Sequence, residues 1–147
     1  MKDLKDKVVA ITGGATGIGF ALAKAFGKEG AKITIGEPRK EKLKEAIEIL
    51  GDEGIEASET YLDVTDLQSV EDFAEFTIKS FGHVDILINN AGISGARGRI
   101  DKVDIKEAKN VFDVNFFGVW HGCAVFSKKM IERGTSAAIY NLGSENS

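Results

Sequence analysis

Short runs of β-branched and other apolar residues, each stopped by glycine or a polar turn, recur five times along this chain with amphipathic stretches between them. That alternation leaves few architectures open. Residues 7–12 read as a strand buried on both faces, followed by a helix over 17–29 in which Ile18, Leu22, Ala25 and Phe26 share a face and Gly30 is the stop. Residues 31–36 give a second strand, and Pro38 is expected to open a helix carrying Leu43, Ile47 and Leu50 on one side. A third strand is expected over 55–64. Thr65-Asp66-Leu67-Gln68 then reads as a capping box for a helix running through Val70, Phe73, Ala74, Thr77 and Phe81 to Gly82. The pattern closes with a strand over 84–88, a glycine-rich loop over 92–98, one long helix over 104–132 and a fifth strand over 137–142. Strands alternating with helices imply an α/β fold, a doubly wound parallel sheet forming one domain over 1–147.

Composition narrows the function. Net charge is −4, with 19 Lys and Arg against 23 Asp and Glu and no basic stripe, which argues against nucleic acid or an anionic membrane as the main partner. A hydrophobic content of 43% supplies a core, so disorder is excluded as the main state. The single Cys123 precludes a disulfide within the chain, and the start Met1-Lys2-Asp3-Leu4-Lys5-Asp6 lacks a signal-peptide apolar run; both point to a cytoplasmic setting. A small polar or anionic ligand remains as the expected partner.

The strand at 7–12 runs into Thr12-Gly13-Gly14-Ala15-Thr16-Gly17-Ile18-Gly19 and then directly into a helix. Residues without a Cβ let a ligand approach the backbone, and the first-turn N–H groups and dipole of the helix receive negative charge, so a pyrophosphate fits here. The glycines at 13, 17 and 19 form a lengthened variant of the G-x-G-x-x-G spacing. No Gly-Lys-Ser/Thr follows, which excludes a nucleoside-triphosphate loop. Glu37 lies about 20 residues beyond the loop, where a carboxylate accepts hydrogen bonds from an adenosine ribose. An acid there favours NAD over NADP, an effect that Arg39 and Lys40 offset in part.

With these motifs the chain resembles the short-chain dehydrogenase/reductase family, whose loop T-G-x-x-x-G-x-G is matched by Thr12 through Gly19. Leu62-Asp63-Val64-Thr65-Asp66 resembles the family segment after the third strand, and Asn89-Asn90-Ala91-Gly92 reproduces its N-N-A-G motif. Val114-Asn115-Phe116-Phe117-Gly118 is similar to the helix segment bearing the family's catalytic Asn, and Ile139-Tyr140-Asn141-Leu142-Gly143-Ser144 to the strand that delivers its catalytic Ser. The resemblance covers Val8 to Ser144. It implies a Rossmann-type fold, NAD as cofactor with NADP less favoured, and a small-molecule alcohol or ketone as substrate. Cofactor-binding roles fall by resemblance on Gly13, Gly14, Ala15, Thr16, Gly17, Ile18, Gly19, Glu37, Asp63, Val64, Asn89, Asn90, Ala91 and Gly92. Ser144 is the implied orienter of the substrate oxygen and Asn115 the implied holder of a water in proton relay.

The family's Tyr-x-x-x-Lys is expected on a helix beyond Ser144. Neither Tyr61 nor Tyr140 has a Lys at the fourth following position, so the second reading is an NAD(P)-binding module or sensor without a proton donor. An unpaired final strand and an unpartnered long helix imply self-association as a homo-oligomer. His83, His121 and Cys123 do not share a metal-binding spacing, and no metal is expected. Cys123 reads as a small core residue. Phe112, Phe116, Phe117 and Phe126 on the long helix are expected to cover the sheet and a neighbouring helix.

Overall fold

The computed structural model describes residues 3–95 and 97–144; Met1, Lys2, residues 145–147 and Ala96, inside the expected 92–98 loop, lie outside the described residues. Strands β1 (Val8–Thr12), β2 (Lys32–Glu37), β3 (Ala57–Tyr61), β4 (Ile86–Asn89) and β5 (Ala138–Asn141) alternate with helices α1 (Gly17–Lys28), α2 (Lys40–Asp52) and α3 (Leu67–Phe81). Between β4 and β5 come α4 (Ile105–Phe112), a π-helical turn (Asp113–Phe117) and α5 (Gly118–Arg133). All pairings are parallel, in the order β3-β2-β1-β4-β5. The chain thus returns to β1 after β3 and builds outward on the other side, so the order reverses between β1 and β4. Crevices for ligands form at such a reversal, above the C-terminal ends of the strands.

The central strands have side chains in two separate cores because successive residues face opposite sides of the sheet. Val9 and Ile11 of β1 join Ile33, Ile35, Ile86 and Ile88 against Ala23 of α1 and Leu43, Ala46 and Leu50 of α2. Ala10 and Leu87 point the other way, onto Val70, Phe73 and Ala74 of α3 and Val125, Phe126 and Met130 of α5. Both faces are covered, which is why β1 and β4 are unbroken apolar runs.

The N-terminal edge of the sheet is closed by Asp85, a fully buried residue just before β4. Its Oδ2 accepts from Val8 N and from His83 Nε2, both at 2.9 Å, and its Oδ1 accepts from Arg133 Nη1 at 2.8 Å. Burial pushes the Asp85 carboxyl pKa up, but the Val8 N–H, the Arg133 guanidinium and His83 outweigh it and hold the group below the usual carboxylate range.

Several local expectations shift. β3 spans only Ala57–Tyr61: Ile55 N donates to Leu50 O of α2 at 2.9 Å, and beyond the strand Asp63 turns the chain, its Oδ1 accepting from Thr65 N at 2.9 Å and Thr65 Oγ1 at 2.8 Å. With Thr65 so engaged, Asp66 caps α3 and accepts from Gln68 N at 3.0 Å, one residue later than the capping box read from sequence. Pro38 precedes α2, whose N-cap is Arg39. The single long helix is instead divided by the π-helical turn.

Phe112, Phe116, Phe117 and Trp120 are exposed and pack on one another, with ring centroids 5.2 to 6.2 Å apart. Phe112, Phe116 and Trp120 follow one another at four-residue steps on an exposed face, where Phe116 and Trp120 border a groove beside β5; of the expected group only Phe126 enters the core, against Phe73. No helix among the described residues is long and apolar enough to cross a membrane.

Candidate functional site

A cleft of about 610 Å³ opens above the C-terminal ends of β1, β2 and β4, and its lining includes Gly13, Thr16, Glu37, Asp63, Val64 and Asn90. The glycine loop forms its floor, and its glycines answer two demands, a left-handed backbone and a close approach. Gly13 and Gly17 adopt positive φ values of 64° and 55°. A Cβ on Gly14 would stand 2.6 Å from Ile35 Cγ2, and one on Gly19 would stand 2.3 Å from the Gly13 oxygen and 2.4 Å from Asn90 Nδ2.

The start of α1 lies at this loop. Its N-cap, Thr16, makes no side-chain capping bond and its first turn holds no acidic residue, whereas α3 and α4 are capped by the carboxylates of Asp66 and Asp104. The N–H groups and positive dipole end of α1 are therefore left for an external anion.

Thr12, the last residue of β1, joins the loop to the segment after β4. Its hydroxyl oxygen accepts from Asn90 N and Ala91 N, both at 3.0 Å, while Asn90 Nδ2 donates to the carbonyls of Thr12 and Gly13, each at 3.0 Å. The loop motif marks Thr12 but not its partners, which lie far along the chain. Asn89 points to the next strand: its Nδ2 donates to Asn141 Oδ1 at 2.8 Å. Its Oδ1 lies where a Cβ on Gly122 would be 2.2 Å away, so α5 crosses β4 closely at that glycine.

Glu37 ends β2 with 3% of its surface exposed, so it is a wall residue of the cleft and no loop carboxylate. Its Oε1 accepts from Arg39 Nε at 2.5 Å, and Arg39 Nη2 donates to Thr16 Oγ1 at 3.0 Å. Arg39 thus bridges the acid and the glycine loop, a link invisible in the sequence except as the closeness of 37 and 39. The hydrogen bond and charge of Glu37 raise the Arg39 pKa further above its ordinary value.

Asn115 lies in the π-helical turn, and its amide binds the backbone of Ile93 in both directions, as acceptor from N and donor to O. Ser144 lies three residues past β5, on the same C-terminal side of the sheet, where Leu142 N still donates to Asn89 O at 3.0 Å. Between α5 and β5 a shallower groove of about 550 Å³ is lined by Asn115, Trp120, Cys123, Ala124, Ile139 and Asn141. Cys123 borders this groove half-buried, with Sγ 3.6 Å from Asn89 Nδ2 and Asn141 Oδ1, and is not the enclosed apolar residue expected. His121 Nδ1 lies 2.9 Å from Val64 O, and His83 is committed to Asp85. Among the described residues no group of three or more His, Cys, Asp or Glu converges as a metal site would require.

The family model of the short chain dehydrogenases matches residues 7–147, and the chain belongs to that family. It is 41% identical over 140 residues to the probable oxidoreductase EphD of Mycobacterium tuberculosis, covering 95% of this chain and 23% of that protein. To the C alpha-dehydrogenase of a Sphingobium species it is 35% identical over 144 residues, covering 98% of this chain and 47% of the other. A crystal structure of a Burkholderia phymatum short-chain dehydrogenase/reductase in complex with NAD superposes with a TM-score of 0.94 at 32% identity, over 98% of this chain and 51% of that one. The chain thus spans about half or less of the length of these relatives. Its fold and its membership of the short-chain dehydrogenase family stand on these likenesses together with the sheet order.

Proposed function

We propose that this chain is the dinucleotide-binding part of an NAD(P)-dependent oxidoreductase that interconverts a secondary alcohol and a ketone by hydride transfer. The observation that carries this reading is the meeting, in one cleft, of an uncapped helix start on a glycine loop, the buried Glu37 and the Asn90-Ala91-Gly92 segment. A bound nicotinamide dinucleotide supplies the hydride donor or acceptor. The chain's own residues hold it: Gly13 to Gly19 with the first-turn N–H groups of α1 receive the pyrophosphate, and Glu37 accepts from the adenosine ribose. Asp63 and Val64 flank the adenine, and Asn90, Ala91 and Gly92 line the second ribose, with Asn89 fixing their strand to β5.

Ser144 orients and polarises the substrate oxygen, and Asn115 fixes the Ile93 segment beside it and serves the proton relay. Glu37 supports NAD as the preferred cofactor. Substrates of this class include 3-oxoacyl thioesters, polyols and hydroxysteroids. The single cysteine fits a cytoplasmic protein, and the exposed stripe of Phe112, Phe116 and Trp120 supports a homo-oligomer.

Calorimetric titration with NAD and NADP, followed by a panel of secondary alcohols and ketones monitored by NADH absorbance, tests the reading. Saturable NAD binding by this chain is expected, with turnover by the whole protein, and Ser144→Ala in the whole protein should then reduce turnover by about a hundredfold while leaving NAD affinity unchanged. Binding without turnover on the panel supports the dinucleotide-holding module instead; absence of binding overturns both.

A further inference from the structure

His121 takes no part in the function proposed above, yet it reaches the cleft through one backbone atom. Its Nδ1 lies 2.9 Å from the carbonyl oxygen of Val64, a cleft residue in the turn between β3 and α3. A carbonyl oxygen only accepts, so Nδ1 carries the proton. One turn earlier on the same face of α5, a Cβ on Gly118 would stand 2.7 Å from Val64 Cγ2 and 3.0 Å from Val64 Cβ. The missing side chain at 118 therefore lets α5 approach Val64 closely enough for the imidazole to reach.

The rest of the turn is held from the other side. Asp63 N donates to Ser69 Oγ of α3 at 3.0 Å, and Asp63 Oδ1 takes both donors of Thr65. His121 is thus the hydrogen-bonded tie from α5 to a turn otherwise held by its own bonds, by α3 and, through Leu62 N to Glu37 O at 3.3 Å, by β2. Val64 is only 7% exposed, so loss of the imidazole N–H would leave its carbonyl short of a partner and favour a shift of the turn toward solvent.

We propose that His121 is a positioning residue for the adenosine half of the dinucleotide, holding the Asp63–Val64 wall of the cleft through the Val64 carbonyl. This inference rests on the cleft being a dinucleotide site. It assigns no contact between His121 and the ligand.

The test is calorimetric titration of the chain and two variants with 5′-AMP and, separately, with nicotinamide mononucleotide. His121→Leu removes the donor, whereas His121→Asn keeps an N–H at the same number of bonds from Cα. The expected result is AMP affinity reduced at least fivefold in the Leu variant and restored to within twofold in the Asn variant, with the mononucleotide unaffected by either. AMP affinity unchanged in the Leu variant, equal loss in both variants, or equal loss for both ligands overturns the proposal.

If the wild-type chain binds neither ligand, the dinucleotide reading itself fails. That result differs from variants failing to discriminate in a chain that does bind. Should His121→Leu not fold, the imidazole nitrogen resonances of the wild-type chain decide: a protonated Nδ1 that shifts on addition of AMP supports the role, and a proton resident on Nε2 alone overturns it.

Discussion

Asn115 holds Ile93 with both ends of its amide: Oδ1 accepts from Ile93 N and Nδ2 donates to Ile93 O, each at 2.9 Å. The pairing mimics one rung of a sheet, made by a side chain in place of a strand. It is formed from the π-helical turn, where one extra residue per turn re-aims side chains that an α-helix would direct elsewhere. The segment following Gly92 is thereby fixed beside the cleft by a residue more than twenty positions away.

Replacing Asn115 by Leu should release that segment. Two neutral hydrogen bonds near the surface together contribute about 1–2 kcal/mol, so a modest loss in denaturant stability is expected. The specific sign is faster amide hydrogen exchange at Ile93, with rates in β1 and β2 unchanged. Unaltered exchange at Ile93 would show that the loop is held by other means.

Arg39 should tune the choice of cofactor. Its guanidinium lies between Glu37 and Thr16 and offsets the repulsion that a lone carboxylate would exert on a 2′-phosphate. Because Arg39 is largely exposed, the effect is screened to about 1 kcal/mol, or roughly fivefold in affinity. Arg39→Gln is therefore expected to weaken NADP about fivefold relative to NAD, measured as the ratio of their dissociation constants by calorimetry.

Gly19→Ala tests the junction of loop and N-N-A-G segment. The added Cβ would meet a backbone oxygen at 2.3 Å and the Asn90 amide at 2.4 Å, so the loop must move. A destabilisation of about 1–3 kcal/mol is expected from the overpacking, together with loss of NAD binding. Retention of wild-type affinity in the folded variant would remove this contact from the account of the site.

Asp85 predicts a pH dependence of stability that is separate from binding. Its carboxyl pKa is lowered in the folded chain, so its contribution is fully present above the unfolded-state value near ~3.9 and is lost as pH falls through the folded value. Asp85→Asn leaves Arg133 and His83 without their buried partner and should cost about 3 kcal/mol at neutral pH. Chemical denaturation of both proteins across pH should show this gap narrowing below about pH 4. A gap independent of pH would mean that the charge of Asp85 is not what closes this edge.

The elements that could be read from sequence are those set by neighbours in the chain. β1, α1 and the glycine loop are announced by an apolar run, a helical period and glycines within a span of about twenty residues. The end of β2 at Glu37 is legible for the same reason. What escaped is set by distant partners or by local competition. Thr12 is legible as the first position of the loop motif, but its bonds to Asn90 and Ala91 show only once the fold brings them against it. Thr65 and Asp66 are both good caps, and Asp63 decides between them by engaging Thr65. The π-helical turn leaves the apolar period of α4 and α5 almost intact, so the break does not show. Phe112, Phe116 and Trp120 suggest core by composition, but they stay exposed, Phe116 and Trp120 on the open groove beside β5.

The two cores on opposite sides of the sheet make β1 and its neighbours a partition between separately packed halves. One half, with α1 and α2, carries the glycine loop and Glu37; the other, with α3 and α5, carries the turn at Val64. A ligand in the cleft touches both across the partition's upper rim. Occupancy would therefore add a brace between halves that the bare fold already joins through the strands and through the bonds from Asn90 and Ala91 to the start of the glycine loop.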